Sequence, residues 1–408
     1  MIYKKSIWKN IIPNFCSEEI LDKLKLISEI LIKEPFNSNN SLLSGKVGLS
    51  LFLNYYIYFT ENKKLSDNGL KYLEQVFINI NNGFNYHTFA GGLSGILWGI
   101  NHLYNNSFIL EDPKDINLSL ESYFIRMVEE EINQKNIDYL HGSLGVILYL
   151  LERNTEKVNI AISEFVDILG EQGEISGNSI KWMRVLDKEK DIKGYNLSLS
   201  HGIASIIIIL AQIYEKGINK EKALKLIRMA INFLLDQKQD PQKNLSIFPN
   251  WISKDLRSRN SRLAWCYGDL GIGIALYQTA VIIKDSQLEN DSIEILKHSA
   301  KRRDLKENRI IDAGLCHGTA GIAHIFNRMF NYTGNEEFRD AAIYWIDKTL
   351  EMAKFPDGLA GYKIWRSEKY GGWVNDTGLL EGIAGIGMML ISAVSDIEPK
   401  WDRCLLLS

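Results

Sequence analysis

Trp265-Cys266-Tyr267-Gly268-Asp269-Leu270-Gly271 and Leu315-Cys316-His317-Gly318-Thr319-Ala320-Gly321 are two copies of one device, a tight Gly-x-x-Gly turn that opens an apolar run. Five more copies read Gly45-Lys46-Val47-Gly48, Gly92-Leu93-Ser94-Gly95, Gly142-Ser143-Leu144-Gly145, Gly202-Ile203-Ala204-Ser205 and Gly382-Ile383-Ala384-Gly385, with Ser205 the one departure. Successive first glycines stand 47, 50, 60, 66, 50 and 64 residues apart. Self-similarity at such a period marks a repeat architecture, and each period has room for two helices.

The segment after each turn is apolar almost throughout, as over 203–210 and 383–391, and a helix apolar all round is a buried one. The segment before each turn is amphipathic, with apolar residues every three or four positions over 17–33, 117–134, 220–237 and 335–353. The β-branched run 206–209 also suits a strand, but its length and lack of internal turn signals favour helix. Buried helices alternating with amphipathic ones predict an all-α chain in two concentric layers. Seven inner and seven outer helices would close into an α/α toroid, one domain over 1–408.

Three periods exceed the 47–50 baseline by 10–19 residues. The surplus falls in polar, turn-rich, strand-like stretches at about 173–196, 240–259 and 355–376, which read as small β-containing excursions. Glycine at the turns tolerates positive φ and lets backbones approach closely, as crowded inner helices require. Helix N-termini gathered there stabilise anions, thiolates included, so that end of the ring is the expected place of a site.

Bulk composition excludes more than it selects. Hydrophobic content of 46%, 24% charged residues and a net charge of −3 describe a globular chain with a large core and no electrostatic footprint for nucleic acid. The densest basic run, Lys301-Arg302-Arg303, reads as a solvated face. Four cysteines do not make a disulfide framework: Cys266 and Cys316 sit inside matching motifs, Cys16 and Cys404 do not. A reducing cytoplasm is the expected compartment. Lys4 and Lys5 are followed by Lys9, Asn10 and Pro13 rather than an apolar core, so no signal peptide is expected. The longest apolar stretch, 202–214, is too short to span a bilayer.

Cys266, Cys316 and His317 carry the chemistry. Two buried cysteines acting as small hydrophobes would be the plain alternative, but nearly equivalent repeat positions and the adjoining His317 favour a metal site. Soft S and N ligands suit zinc, and three protein ligands leave a fourth position open. His201 precedes Gly202 as His317 precedes Gly318, which aims both the same way and makes His201 a candidate acid or base. His141 also precedes its glycine, while His87, His102, His298 and His324 have no such placement and read as structural. Asp138, in an apolar-flanked segment, needs a partner. Orienting His201 would supply one, and Arg262 is another candidate that could instead bind a substrate carbonyl or carboxylate. Tyr267 takes the position His has in other repeats and is expected to face the cavity. Asp269 reads as a helix cap. Neither a nucleophile elbow nor a phosphate-binding loop is present.

Together these residues resemble the lanthionine synthetase C-like family, the cyclases of lantibiotic biosynthesis, over essentially the whole chain. The most specific parts are Trp265-Cys266-Tyr267-Gly268-Asp269 and Cys316-His317-Gly318, supported by Ser200-His201-Gly202, by Asp138 ahead of Gly142 and Gly145, and by Arg262 ahead of Cys266. The resemblance implies an α/α toroid with one Zn²⁺ held by Cys266, Cys316 and His317, with water or a substrate thiolate as fourth ligand. It also implies a site lined by His201, Asp138, Arg262 and Tyr267. The implied activity is addition of Cys thiolates to dehydroalanine or dehydrobutyrine in a dehydrated precursor peptide, forming (methyl)lanthionine thioether rings. The implied setting is a stand-alone cyclase in the cytoplasm, working with a dehydratase and a peptide exporter and placed through them at the inner face of the membrane. Rival readings are addition of glutathione to dehydrated residues, which some members of this family perform, and a non-catalytic helical scaffold, which predicts no stoichiometric metal. Protein prenyltransferase subunits also join an α/α barrel to zinc, but with a carboxylate among the ligands.

Overall fold

The computed structural model describes residues 8–12, 17–33 and 39–408. Lys4, Lys5, Pro13 and Cys16 lie outside the described residues. Amphipathic helices α1 (Glu18–Lys33), α3 (Ser66–Asn81), α5 (Lys114–Asn133), α7 (Glu156–Gln172), α9 (Lys220–Leu235), α11 (Ser286–Ala300) and α13 (Glu336–Glu351) alternate with seven others. Those are α2 (Lys46–Thr60), α4 (Leu93–Asn105), α6 (Ser143–Leu150), α8 (Ile203–Glu215), α10 (Asp269–Ile283), α12 (Thr319–Thr333) and α14 (Ile383–Val394). Each of the seven begins one residue after a first glycine.

The two sets differ in burial as their sequences dictate. All of α6 is buried, and so is α10 from Asp269 to Ala280. In α9 burial is confined to one stripe, Ala223, Leu226, Ile227, Ala230, Ile231, Phe233 and Leu234, the helical period of a one-sided core contact. Several amphipathic helices start on side-chain caps: Thr155 accepts from Val158 N–H, Asp285 from Leu288 N–H and Asn335 from Glu337 N–H. The buried helices start on glycine without a side-chain cap.

The chain divides into two compact units. One comprises the described residues up to 86, 90–113 and 303–407. In it the buried helices stand in the order α12, α14, α2, α4, with α13 against α12, α1 against α14 and α3 against α2. The other comprises 87–89, 114–302 and 408. Here α6, α8 and α10 stand in a row, backed by α5, α9 and α11 in turn, with α7 between α5 and α9.

The described strands are short and antiparallel. β1 (Glu174–Ser176) and β2 (Ser179–Lys181) form a hairpin, and β3 (Arg184–Asp187), β4 (Ile192–Asn196) and β5 (Trp251–Ile252) form a sheet in that order. β6 (Ile364–Trp365) pairs with β7 (Trp373–Val374). Among the described residues no helix is long and apolar enough to cross a membrane.

Two expectations need correcting. Arg302 is not on a solvated face: only 5% exposed, its Nη1 lies 3.0 Å from Asp269 Oδ2 and its Nη2 donates to the Ser261 carbonyl at 2.8 Å. Asp269 in turn does not cap α10. Gly268 occupies the cap, while the Asp269 carboxylate accepts from the Ile247 and Phe248 amides, both at 2.9 Å. A buried carboxylate needs donors and a counter-charge, and these tie the 240–259 excursion to the start of α10.

Candidate metal centre

The turns share a backbone design. The first helical N–H donates to the carbonyl six residues before the glycine, as Lys46 to Asn39 (2.9 Å), Ser143 to Asn136 (2.9 Å), Thr319 to Asp312 (3.2 Å) and Ile383 to Asp376 (3.1 Å). Positions 39, 136, 196, 312 and 376 are all Asn or Asp. Their side chains close Asx turns: Oδ1 of Asn39, Asn196, Asp312 and Asp376 accepts from the amide two residues on at 2.8, 3.0, 3.1 and 2.7 Å. A Cβ on Gly202 would stand 2.3 Å from the Asn196 carbonyl oxygen, and one on Gly321 1.9 Å from that of Leu315. Close approach is therefore what excludes other residues; of the seven first glycines only Gly268 has positive φ, 90°.

Backbone bonds also run from turn to turn. Cys316 N–H donates to the Leu380 carbonyl at 2.9 Å, and Leu380 N–H to that of Leu43 at 2.8 Å. In the other unit, Ser200 N–H donates to the Cys266 carbonyl at 3.3 Å and its hydroxyl donates to the same oxygen at 3.1 Å.

The ligand atoms of Cys266, Cys316 and His317 all lie within 4.8 Å of one another. Cys266 is buried, while Cys316 and His317 are half-buried. Two sulfurs and an imidazole nitrogen on tetrahedral zinc would stand about 3.5–3.8 Å apart, and two thiolates with one imidazole are a donor set that fits zinc. His317 Nε2 is 3.7 Å from Asp312 Oδ2, which also accepts the Trp365 amide at 3.0 Å. At 3.7 Å the carboxylate faces the ring without a hydrogen bond, in the place where a partner that orients a ligating histidine would stand.

Beside Cys266 in the chain, Tyr267 is half-buried and its hydroxyl accepts from Asn196 Nδ2 at 3.2 Å. Burial pushes the phenol pKa up against that hydrogen bond, so the group stays protonated. The Tyr267 ring lies 6.2 Å from that of His201. His201 Nδ1 is 2.8 Å from Asp138 Oδ2, and the His201 ring stacks parallel to His141 at 6.1 Å. Asp138 Oδ1 accepts from the amides of Leu140 (2.9 Å) and His141 (2.8 Å). Burial disfavours ionisation of Asp138. The hydrogen bond and charge of His201, the charge of Arg184 and the His141 amide outweigh burial, so its carboxyl lies below its ordinary value.

The second partner of Asp138 is not Arg262. It is Arg184, from β3, with Nη2 3.2 Å from Oδ2. Arg262 is half-buried and makes no ion pair among the described residues. Arg184 lies in the strand-like stretch at about 173–196, where nothing in the sequence distinguishes it from any strand arginine. A further unforeseen group is Glu381, the residue before Gly382. Burial raises its carboxyl pKa against the opposing charge of His317, and Arg366, 2.9 Å from Asp376, stands 3.7 Å away. The remaining histidines have ordinary partners: His87 with Glu131, His102 with the Tyr55 hydroxyl, His298 with the Leu245 carbonyl, and His324 with Asp402.

The chain is similar to known proteins over most of its length. A family model described as lanthionine synthetase C-like protein matches residues 37–406. The nisin biosynthesis protein NisC of Lactococcus lactis subsp. lactis is 26% identical over 403 residues, covering 92% of this chain and 91% of that one. A solved structure named nisin cyclase superposes with a TM-score of 0.76 at 20% identity, covering 97% of this chain and 98% of that one. The chain has the α/α toroid fold of that structure, mostly helical with a few small strands.

Proposed function

The chain belongs to the lanthionine synthetase C-like family, and from that premise we propose that it is a zinc-dependent lanthipeptide cyclase. Its substrate is a precursor peptide whose Ser and Thr have been dehydrated, and its products are lanthionine and methyllanthionine rings. The observation that carries the reading is the convergence of the Cys266, Cys316 and His317 ligand atoms within 4.8 Å. The full-length matches to a nisin biosynthesis protein and a nisin cyclase support it.

Cys266, Cys316 and His317 would hold the metal. Bound zinc supplies the means of keeping a substrate thiol deprotonated at neutral pH, where a free thiol of pKa about 8.5 is mostly protonated. Ring closure forms a bond from the Cys sulfur to Cβ of the dehydro residue and moves the C=C electron pair onto the adjoining carbonyl. The resulting enolate must take a proton at Cα. His201 is the group assigned to carry it: with Nδ1–H held on Asp138, Nε2 is free to take the proton the substrate thiol gives up, and the imidazolium so formed returns it at Cα. Asp138 fixes the ring and its tautomer. Tyr267, a neutral hydroxyl beside Cys266, and Arg262, a cation with no ion-pair partner among the described residues, are assigned to orient the peptide.

This reading takes the chain as a single cyclase ring. A dehydratase must act before it, and a peptide exporter after it at the inner face of the membrane is the natural recipient. Ring closure leaves peptide mass unchanged, so the test counts alkylatable thiols on a dehydrated precursor before and after incubation, together with bound zinc. One equivalent of zinc and loss of free thiols are expected. Thiols that stay free in the presence of zinc-loaded protein would refute the reading, and thiol loss from glutathione alone would favour intermolecular addition.

A further inference from the structure

We infer that Arg184 is a positioning residue of the proposed acid–base pair: its guanidinium holds the Asp138 carboxylate so that the His201 proton stays on Nδ1. The inference rests on the cyclase reading above for its meaning, but the placement it describes can be measured without catalysis.

Asp138 makes four contacts, and they divide between its two oxygens. Oδ1 is taken by the Leu140 and His141 amides, which belong to the turn itself. Oδ2 is shared between His201 Nδ1 at 2.8 Å and Arg184 Nη2 at 3.2 Å. Backbone amides fix one oxygen and leave the carboxylate plane free to turn about it; the guanidinium removes that freedom. Arg184 is suited to this because it is always charged and has only donors to offer. It keeps the buried carboxylate ionised and therefore an acceptor for Nδ1–H.

The protein delivers this one side chain by a dedicated route. Arg184 opens β3, paired opposite Gly194 of β4, and β4 ends at Asn196, which bonds the Tyr267 hydroxyl. One small sheet thus reaches both the acid–base pair and the tyrosine beside Cys266. Among the described residues Asp138 is the one ion-pair partner of Arg184, and its buried Nη1 has no hydrogen-bond partner. A buried ion pair is a weak device for stability. A guanidinium buried for stability would have its buried N–H groups satisfied, whereas Nη1 is left over, so orientation of Asp138 is the better account.

The test compares zinc-loaded wild type with Arg184→Gln and Arg184→Lys. The His201 tautomer is read by long-range ¹H–¹⁵N correlation, assigned with His201→Gln. Turnover is read on a synthetic peptide bearing one dehydroalanine and one Cys. The wild type is expected to show the Nδ1–H form. Arg184→Gln is expected to show mixed tautomers and a kcat lower by about tenfold, with KM within about twofold. Arg184→Lys keeps the charge but not the fork, and is expected between the two, about threefold down in kcat. A Gln variant with wild-type tautomer and kcat would overturn the inference, as would a Lys variant no better than Gln. If the Gln variant does not fold, a Lys variant identical to wild type in both readouts overturns it alone. A peptide left untouched by wild type would defeat the cyclase reading instead, and the tautomer comparison would still decide the role of Arg184.

Discussion

Ser200 holds the Cys266 carbonyl from two sides, through its amide and through its hydroxyl. Its neighbour in the chain is His201, so the turn bearing the proposed acid is fastened by its backbone to the turn bearing one metal ligand. The imidazole of His201 takes no part in that fastening, and the two roles can therefore be separated by mutation.

His201→Ala and Asp138→Ala are expected to retain one equivalent of zinc while slowing ring closure by about 10²–10⁴-fold. Cys316→Ala is expected to lose both metal and activity. Metal analysis beside thiol counting checks this. Normal cyclisation by the His201 variant would remove it from the mechanism, and normal zinc retention by the Cys316 variant would remove the site.

Arg302→Met leaves the Asp269 carboxylate buried without its counter-charge. Removing one partner of a buried pair costs about 3–5 kcal/mol, and chemical denaturation is expected to show a loss of that order. A loss below about 1 kcal/mol would mean that the Ile247 and Phe248 amides satisfy Asp269 on their own.

Gly321→Ala places a Cβ against the Leu315 carbonyl, next to Cys316. Relieving the overlap must move backbone, at about 3 kcal/mol, and the backbone that moves carries two ligands. Weaker zinc retention in competition with a chelator is the expected result. The equivalent change at Gly48, which would meet the Leu42 carbonyl, is expected to cost similar stability and leave zinc in place.

The Asp138 carboxyl titrates below its ordinary 3.8 in the folded protein: burial raises it, and His201, Arg184 and the His141 amide more than reverse that. A depressed folded pKa contributes stability that is complete above the unfolded value and vanishes as pH falls through the folded one. That contribution is intact at neutral pH and is lost below 3.8. Asp138→Asn is expected to be less stable near pH 7 and to flatten the acid limb of the stability curve. Parallel curves for variant and wild type down to the acid end would contradict it.

The seven turns and their alternating helices were legible because their signals are local: a glycine forced by close approach, an apolar run, an amphipathic stripe. Cys266, Cys316 and His317 were legible for the same reason, since the repeat supplies a frame in which their positions match. Arg184 was not, because its importance depends on the register of β3 and β4, and no local pattern reports how a strand lies against Asp138, 46 residues earlier in the chain. Burial of Arg302 was hidden similarly, its acidic partner lying two helices earlier in the chain. The Asn or Asp six residues before each glycine was visible at 39, 136, 196, 312 and 376, but Tyr86 and Arg262 interrupt the pattern and masked it. Of the two reasons for glycine at the turns, close backbone approach holds, while positive φ applies only at Gly268 among the seven first glycines.

The relay from Cys316 to Leu380 to Leu43 gives a turn without chemistry a stake in the metal. Closing the ligands around an ion restrains the Cys316 backbone, and that restraint is handed along two amide–carbonyl links to a segment bearing no ligand. The Leu380 amide thereby becomes a reporter of occupancy. Its hydrogen exchange is expected to slow on zinc loading, while amides of the outer helices exchange as before.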